Sequence, residues 1–405
     1  MNESLYSPID SDDVARRALI ESERDFHEKR WGELAAAQSK LFRFSKRATP
    51  ADVMQEEAYR DDEDFEKRSS EEYEAWQKNL RTVITNFKER AQSGEGAHIK
   101  TLIVILGGGM KCAYSAGQIM GLSAMGLTAD KVDTVVGASG GAVVATAYVG
   151  GSEQTRRTAL MMAGPMSTED FINPSMERFR SGTVINLGLL ADAMNEPGGE
   201  YALDEKTIRK SDTELWYTVT LPTEGSENPE VEFLNAKDLP QMTDGIKASM
   251  SLHPKLTGPA TAISGVEYRD GAINPLPIEE LIKKFSPTDV LVLPQLPYEY
   301  INDVKPSAGE HAGSALAKLA GFNAVAKGLV SKREFRLALE QIQKIDDVNI
   351  GVLWPPDSGL STIATDGDAL MAGIIASYKD TFKQFEAGEP TELPFLGAAS
   401  KDTKS

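Results

Sequence analysis

The chain has 405 residues, of which 41% are hydrophobic and 26% are charged. This composition supports a large folded core and excludes a disordered or fibrous protein. Asp and Glu outnumber Lys and Arg by 61 to 43, which gives a formal net charge of −18, and an acidic chain is a poor binder of nucleic acid or of anionic lipid.

Residues 1–95 differ in texture from the rest. Charged residues crowd this segment, and apolar residues such as Trp76, Leu80 and Phe87 recur at helical spacing. The pattern predicts a helical N-terminal extension with two or more long helices, which packs on the main body or contacts a partner or a second copy of the chain. The first residues are polar and acidic, unlike a secretory signal, so we expect a cytoplasmic protein.

From residue 96 onward, short apolar runs alternate with helical patterns. Continuous Val, Ile and Leu runs flanked by helices predict a three-layer α/β/α domain with a mainly parallel central sheet, spanning residues 96–390. The helical stretch 310–345 is a candidate lid or insert, and residues 391–405 form a flexible tail. The predicted strands are 101–106, 132–136, 215–221, 290–294 and 350–354, and the predicted helices are 113–125, 140–149, 278–285 and 369–385.

A triple glycine, Gly107, Gly108 and Gly109, directly follows the first predicted strand. Glycines at that place let successive backbone N–H groups point outward at a helix N-terminus, which suits an anion. The spacing matches neither of the common nucleotide-binding motifs. By itself the loop leaves a phosphate site and an oxyanion hole as alternatives.

A Gly-x-Ser-x-Gly motif at 137–141 lies between a predicted strand and a predicted helix, the setting of a nucleophile elbow. Gly137 and Gly141 remove side chains that would clash in the tight turn, which leaves the Ser139 hydroxyl exposed at its apex. The helix that begins at Gly140 directs its positive end toward the charge that forms when Ser139 attacks a carbonyl. A helix-capping serine is the alternative, but motif and context together favour a nucleophile.

Asp270-Gly271-Ala272 follows a short predicted strand and would by itself be an ordinary turn. A serine nucleophile needs a base, and the four histidines are poor bases by position. His253 can approach the site and His311 opens the candidate lid. Neither the histidines nor the single cysteine, Cys112, shows metal-ligand spacing, so we expect no metal and no cofactor.

In this order the three motifs resemble the patatin-like phospholipase family. The segment Ala248-Ser-Met-Ser-Leu-His-Pro254 is similar to the Ala-Ser-x-x-x-Pro segment that these proteins carry before the aspartate. The resemblance spans about residues 98–386. It implies a serine lipid acyl hydrolase of the phospholipase A type, which cleaves membrane lipids through a covalent acyl-enzyme.

Residue by residue, the resemblance implies a two-residue dyad in which Ser139 is the nucleophile and Asp270 the base. The absence of a basic surface favours transient contact with a membrane surface, or a neutral lipid, over tight docking on anionic bilayers, so we expect a cytoplasmic protein that becomes peripheral on activation. Lys111 occupies the family's basic position after the glycines and is a candidate substrate-binding residue. The implied oxyanion donors are the amides of Gly107, Gly108, Gly109 and Gly140.

Two alternatives stay open. An α/β-hydrolase esterase would use Ser139 with an Asp and a late histidine such as His311, although that fold has several strands before its nucleophile and only two predicted strands precede it here. A catalytically weakened patatin-like scaffold would act through its N-terminal helices. Leu106 and Cys112, which stand where the family usually has Asp and Gly, keep that second alternative open.

Overall fold

The computed structural model describes residues 63–93, 99–173, 175–221, 230–252, 254–298, 331–387 and 390. By its contacts the chain divides into residues 1–64 and residues 65–405, and almost all of the described residues belong to the second unit. The predicted helices before residue 63, part of the candidate lid (310–330) and the tail lie outside the described residues, as do all four histidines.

A mixed eight-stranded sheet forms the centre of the second unit. Its strands are β1 (Thr101–Ile105), β2 (Thr134–Ala138), β3 (Glu214–Thr220), β4 (Val231–Asn235), β5 (Thr261–Ile263), β6 (Val266–Asp270), β7 (Asp289–Leu293) and β8 (Asn349–Val352). The order is β5-β6-β3-β2-β1-β7-β8, with β4 also paired to β3. The four pairings from β3 through β2, β1 and β7 to β8 are parallel, whereas β4, β5 and β6 pair antiparallel.

Helices cover both faces of this sheet. In chain order the described helices are α1 (Glu63–Ser93), α2 (Ala113–Ala124), α3 (Gly140–Val149), α4 (Ser152–Ala163), α5 (Met176–Ser181), α6 (Leu187–Asn195), α7 (Glu205–Lys210), α8 (Met242–Ser249), α9 (Pro254–Thr257), α10 (Ile278–Phe285), α11 (Ser331–Ile342) and α12 (Gly367–Gln384). None of these helices is both long and apolar enough to span a bilayer.

Alternation along β1 separates two cores, because successive side chains of a strand point to opposite faces. Ile103 and Ile105 join a cluster with α2, α3, α4 and α12. Leu102 and Val104 join a second cluster with α10 and α11, the described part of the candidate lid. The predicted α/β fold, with helices on both faces of the sheet, is confirmed.

Helix α1, from the predicted N-terminal extension, is packed into the sheet unit. Leu80 and Phe87 are buried in the first core and Trp76 in the second. Near its end, the Asn86 side chain donates to the Asp289 carboxylate at 2.6 Å, at the start of β7. Residues 65–93 of α1 therefore belong to the same compact unit as the sheet. The sequence pattern places this helix in an N-terminal extension that ends near residue 95.

The sheet brings distant segments together at one edge. β2 pairs with β3 only as far as Ala138, which lies opposite Thr218. From the next residue of β3 onward, β3 pairs with β6, and Asp270 lies opposite Val219. Since β4 occupies the other edge of β3 there, β6 continues on the edge that β2 leaves. Asp270 is therefore placed next to the residue that follows β2, at the carboxyl ends of the parallel strands, where open α/β sheets place their sites.

Candidate active site

Ser139 occupies a strained turn between β2 and α3. Its backbone has φ 53° and ψ −130°, a positive-φ conformation that costs a non-glycine residue about 1–3 kcal/mol. The predicted elbow glycines are required for close approach: a methyl group on Gly141 would lie 2.4 Å from the Ile105 carbonyl oxygen, and one on Gly137 would lie 2.6 Å from the Gly141 carbonyl oxygen. A side chain at position 137 or 141 would therefore clash with the backbone of the turn that holds Ser139.

The hydroxyl of Ser139 donates a hydrogen bond to the Asp270 carboxylate, with 2.9 Å between Oγ and Oδ2. Asp270 is completely buried. Its other oxygen, Oδ1, accepts from the Ala272 N–H at 2.7 Å, and its carbonyl accepts from the Thr220 hydroxyl at 3.2 Å. Two predicted site residues, distant in sequence, are thus in direct contact, and the carboxylate has a fixed orientation.

Burial controls the electrostatics of this pair. It raises the pKa of the Asp270 carboxyl from 3.8 to about 7, although the donated bonds from the Ala272 amide and the Ser139 hydroxyl lower it. A buried carboxylate is poorly solvated, so its affinity for a proton increases. Asp270 is therefore a stronger base than an exposed aspartate, and it changes protonation state near neutral pH.

Ser249 stabilises the strained turn by a hydrogen bond to its backbone. The Ser139 N–H donates to the Ser249 hydroxyl at 2.8 Å, and that hydroxyl donates to the Thr218 carbonyl at 2.7 Å. Ser249 is fully buried at the end of α8. Ser249 is not among the predicted site residues, and its one signal in the sequence is its place in the 248–254 segment that resembles the family.

The glycine loop lies against Ser139. A methyl group on Gly107 would be 2.5 Å from Cβ of Ala272 and 2.8 Å from Cβ of Ser139, so only a glycine fits there. Gly109 has φ 57°, in the left-handed region that glycine tolerates best. Among the described residues, no acceptor is found for the amides of three predicted donors, Gly107, Gly109 and Gly140. The amide of the fourth, Gly108, interacts with the Cys112 sulfur, and this contact acts to lower the pKa of that thiol. Backbone donors beside a buried hydroxyl are what an oxyanion hole requires.

The residues that depart from the family pattern are accommodated by packing. The Cys112 thiol is buried and lies 3.7 Å from the Leu106 carbonyl oxygen, to which it donates. Burial raises the pKa of this thiol, and the negative charge of Asp270 raises it further, so Cys112 stays protonated and unreactive.

Lys111 is half-buried, and its amide donates to the Gly108 carbonyl at 3.2 Å. A role for Lys111 in substrate binding stays a prediction.

Metal-ligand chemistry finds no support in the described part of the chain. No group of three or more His, Cys, Asp or Glu side chains in it is arranged to hold a metal ion.

Comparison with known families finds a match over the segment of the chain that holds these residues. Residues 103–282 match the family described as Patatin-like phospholipase. That span contains the glycine loop, the Ser139 elbow and Asp270. The chain thus contains a patatin-like phospholipase domain, and the resemblance seen in its motifs is confirmed. At the level of the family, this supports a lipid acyl hydrolase.

Solved structures also match. VipD from Legionella pneumophila is 15% identical, and the match covers 71% of this chain and 67% of VipD, with a TM-score of 0.35. Full-length ExoU, solved in complex with full-length SpcU from the type III secretion system of Pseudomonas aeruginosa, is 16% identical over 68% of this chain and 60% of ExoU, with a TM-score of 0.26. The chain thus spans less than two thirds of that ExoU chain. No curated protein matches.

Removing the Ser249 hydroxyl should destabilise the turn. In Ser249→Ala the buried Ser139 N–H loses its acceptor, which costs about 1–3 kcal/mol of unfolding free energy. Ser377→Ala is the matched control, because the Ser377 hydroxyl is buried on α12 without a partner among the described residues. Urea unfolding should show a loss for Ser249→Ala and none for Ser377→Ala. Equal effects of the two changes would contradict the supporting role of Ser249.

The raised pKa of Asp270 predicts a pH-dependent stability difference. Between pH 3.8 and about 7 the folded chain retains a proton on Asp270 that the unfolded chain releases, so the stability of the wild type falls as pH rises through this window. Asp270→Asn keeps the shape but cannot ionise. We expect it to gain up to about 4 kcal/mol relative to wild type between pH 4 and pH 8, measured by chemical denaturation. A difference that does not change with pH would contradict this assignment.

Proposed function

We propose that the protein is a serine lipid acyl hydrolase of the phospholipase A type, which cleaves fatty-acyl esters of membrane lipids through a Ser139–Asp270 dyad. The observation that carries this proposal is the 2.9 Å hydrogen bond between the two side chains. It lies beside the amides of Gly107, Gly109 and Gly140, for which no acceptor is found among the described residues. The patatin-like domain supports the lipid substrate at the level of the family.

In the first step the Ser139 oxygen bonds to the acyl carbon, and its proton moves to Oδ2 of Asp270. The carbonyl oxygen of the ester takes the negative charge and accepts hydrogen bonds from the glycine-loop amides. The carbon–oxygen bond to the lipid alcohol then breaks, and the alcohol leaves with the proton from Asp270. The product is an acyl group esterified to Ser139.

In the second step a water molecule replaces the alcohol. Asp270 takes a proton from the water as its oxygen bonds to the acyl carbon, and the amides again stabilise the oxyanion. The bond to Ser139 breaks, the proton returns to the Ser139 oxygen, and the fatty acid is released. Loss of one oxyanion donor typically raises the barrier by about 3–4 kcal/mol, a factor of ~10²–10³ in rate.

The charge of the chain bears on how it meets its substrate. With a net charge of −18, the protein should be repelled by strongly anionic membranes, so transient contact with a bilayer or a neutral lipid suits it better than tight electrostatic docking. Lys111, beside the glycine loop, remains our candidate for contact with a lipid phosphate.

Fatty-acid release tests this function directly. Purified full chain is incubated with phosphatidylcholine vesicles that carry different acyl chains at the two glycerol positions, and the products are identified by mass spectrometry. We expect release by wild type and a loss of at least ~10³-fold in Ser139→Ala and in Asp270→Asn. The wild-type rate should rise about tenfold per pH unit up to about pH 7 and then level off, because Asp270 must be ionised to accept the proton.

Matched controls and contrary results are clear for this experiment. Ser377→Ala and Asp192→Asn, on α12 and on α6, should hydrolyse lipid like wild type. Undiminished release by Asp270→Asn would refute the dyad. No release by wild type, under conditions in which another phospholipase A acts, would refute the hydrolase and favour a patatin-like scaffold.

A further inference from the structure

Gln295 is a buried amide that contacts the start of the glycine loop. It follows β7, lies outside the family match at 103–282 and is only 3% exposed. Its Nε2 donates to the Leu106 carbonyl at 2.9 Å and to the Ser115 hydroxyl at 2.9 Å. Its Oε1 accepts no hydrogen bond in the described part of the chain, so the donor end alone anchors this side chain.

The Leu106 carbonyl belongs to the same peptide group as the Gly107 N–H. Every described peptide bond is trans, and in a trans peptide the carbonyl and the N–H point in opposite directions. Gln295 and the Cys112 thiol both donate to the carbonyl. The Gly107 N–H is therefore turned away from Gln295, while the Gly107 backbone packs against Ser139.

Further contacts restrict rotation of this peptide group. The Leu106 N–H donates to the Leu293 carbonyl at 3.1 Å, which holds the residue before the loop to β7. A methyl group on Gly108 would lie 2.6 Å from Cβ of Gln295, so the Gln295 stem also supports the second glycine. Ser115, which accepts from Gln295, donates in turn to the Cys112 carbonyl at 3.0 Å. The loop thus rests on a buried network centred on Gln295.

We infer that Gln295 is a positioning residue for the proposed oxyanion hole: by holding the Leu106 carbonyl, its amide aims the Gly107 N–H at the oxygen of the ester that Ser139 attacks. This inference rests on the proposed function and deepens it. It also gives Leu106 a role through its backbone, which explains how a leucine side chain is compatible with a working loop.

Gln295→Met tests the inference, because methionine keeps the length of the side chain and lacks the donor. Gln118→Met is the matched control. Gln118 is also fully buried, donates a single bond from Nε2 to a carbonyl, that of Leu353 at 2.7 Å, and has an Oε1 without a partner among the described residues. The readouts are kcat and KM for lipid hydrolysis, the rate of labelling by a fluorophosphonate, and the melting temperature.

We expect kcat and the labelling rate of Gln295→Met to fall by roughly 10- to 100-fold, with KM within about twofold of wild type, since a misaimed oxyanion donor affects the transition state and not binding. Gln118→Met should lower the melting temperature with kcat unchanged. A kcat and labelling rate for Gln295→Met within about twofold of wild type would overturn the inference. Wild type that neither hydrolyses lipid nor is labelled would instead overturn the proposed function itself.

Gln295→Glu keeps the test decisive if the methionine variant does not fold. Its carboxyl donates to the Leu106 carbonyl only when protonated, so the kcat of this variant relative to wild type should rise as pH is lowered. A merely structural role would not produce that rescue. A ratio close to one at every pH would overturn the inference.

Discussion

The hydrogen bond between the Ser139 hydroxyl and the Asp270 carboxylate is the contact on which the account depends. It exists because β6 continues along the edge of β3 that β2 leaves at Ala138. The last pairing of β2 and the first pairing of β6 are consecutive along β3, so the residue after β2 and the last residue of β6 meet. Sheet topology, and not proximity in sequence, brings these two side chains together.

Two costs accompany this arrangement, and both serve the proposed chemistry. Ser139 has a positive φ, and this strain persists because the packed elbow and the Ser249 hydroxyl hold the turn. Burial of Asp270 disfavours its charged form and raises its pKa to about 7. The same burial makes the carboxylate a better base for the Ser139 proton. Replacing this carboxyl by a neutral amide is therefore expected to raise the stability of the fold and to lower the activity.

The elbow is predictable from sequence because all of its signals are local: strand, glycines, serine and helix follow one another within a few residues. The meeting of Ser139 with Asp270 could be expected only from the family resemblance, because a two-residue pairing of β6 with β3 leaves no periodic pattern. β4 is missed since every one of its residues is half-buried and so shows no alternation. Gln295 carries no signal in the sequence, since its importance comes from a contact with a residue 189 positions away.

Mapping of a covalent adduct tests the central claim most directly. A fluorophosphonate loses fluoride when a serine oxygen bonds to its phosphorus, so the modified residue can be located by peptide mass spectrometry of the full chain. We predict modification of Ser139, with slower reaction when Asp270 is replaced by Asn. An adduct on a different serine, or none under conditions that label another active serine hydrolase, would contradict it.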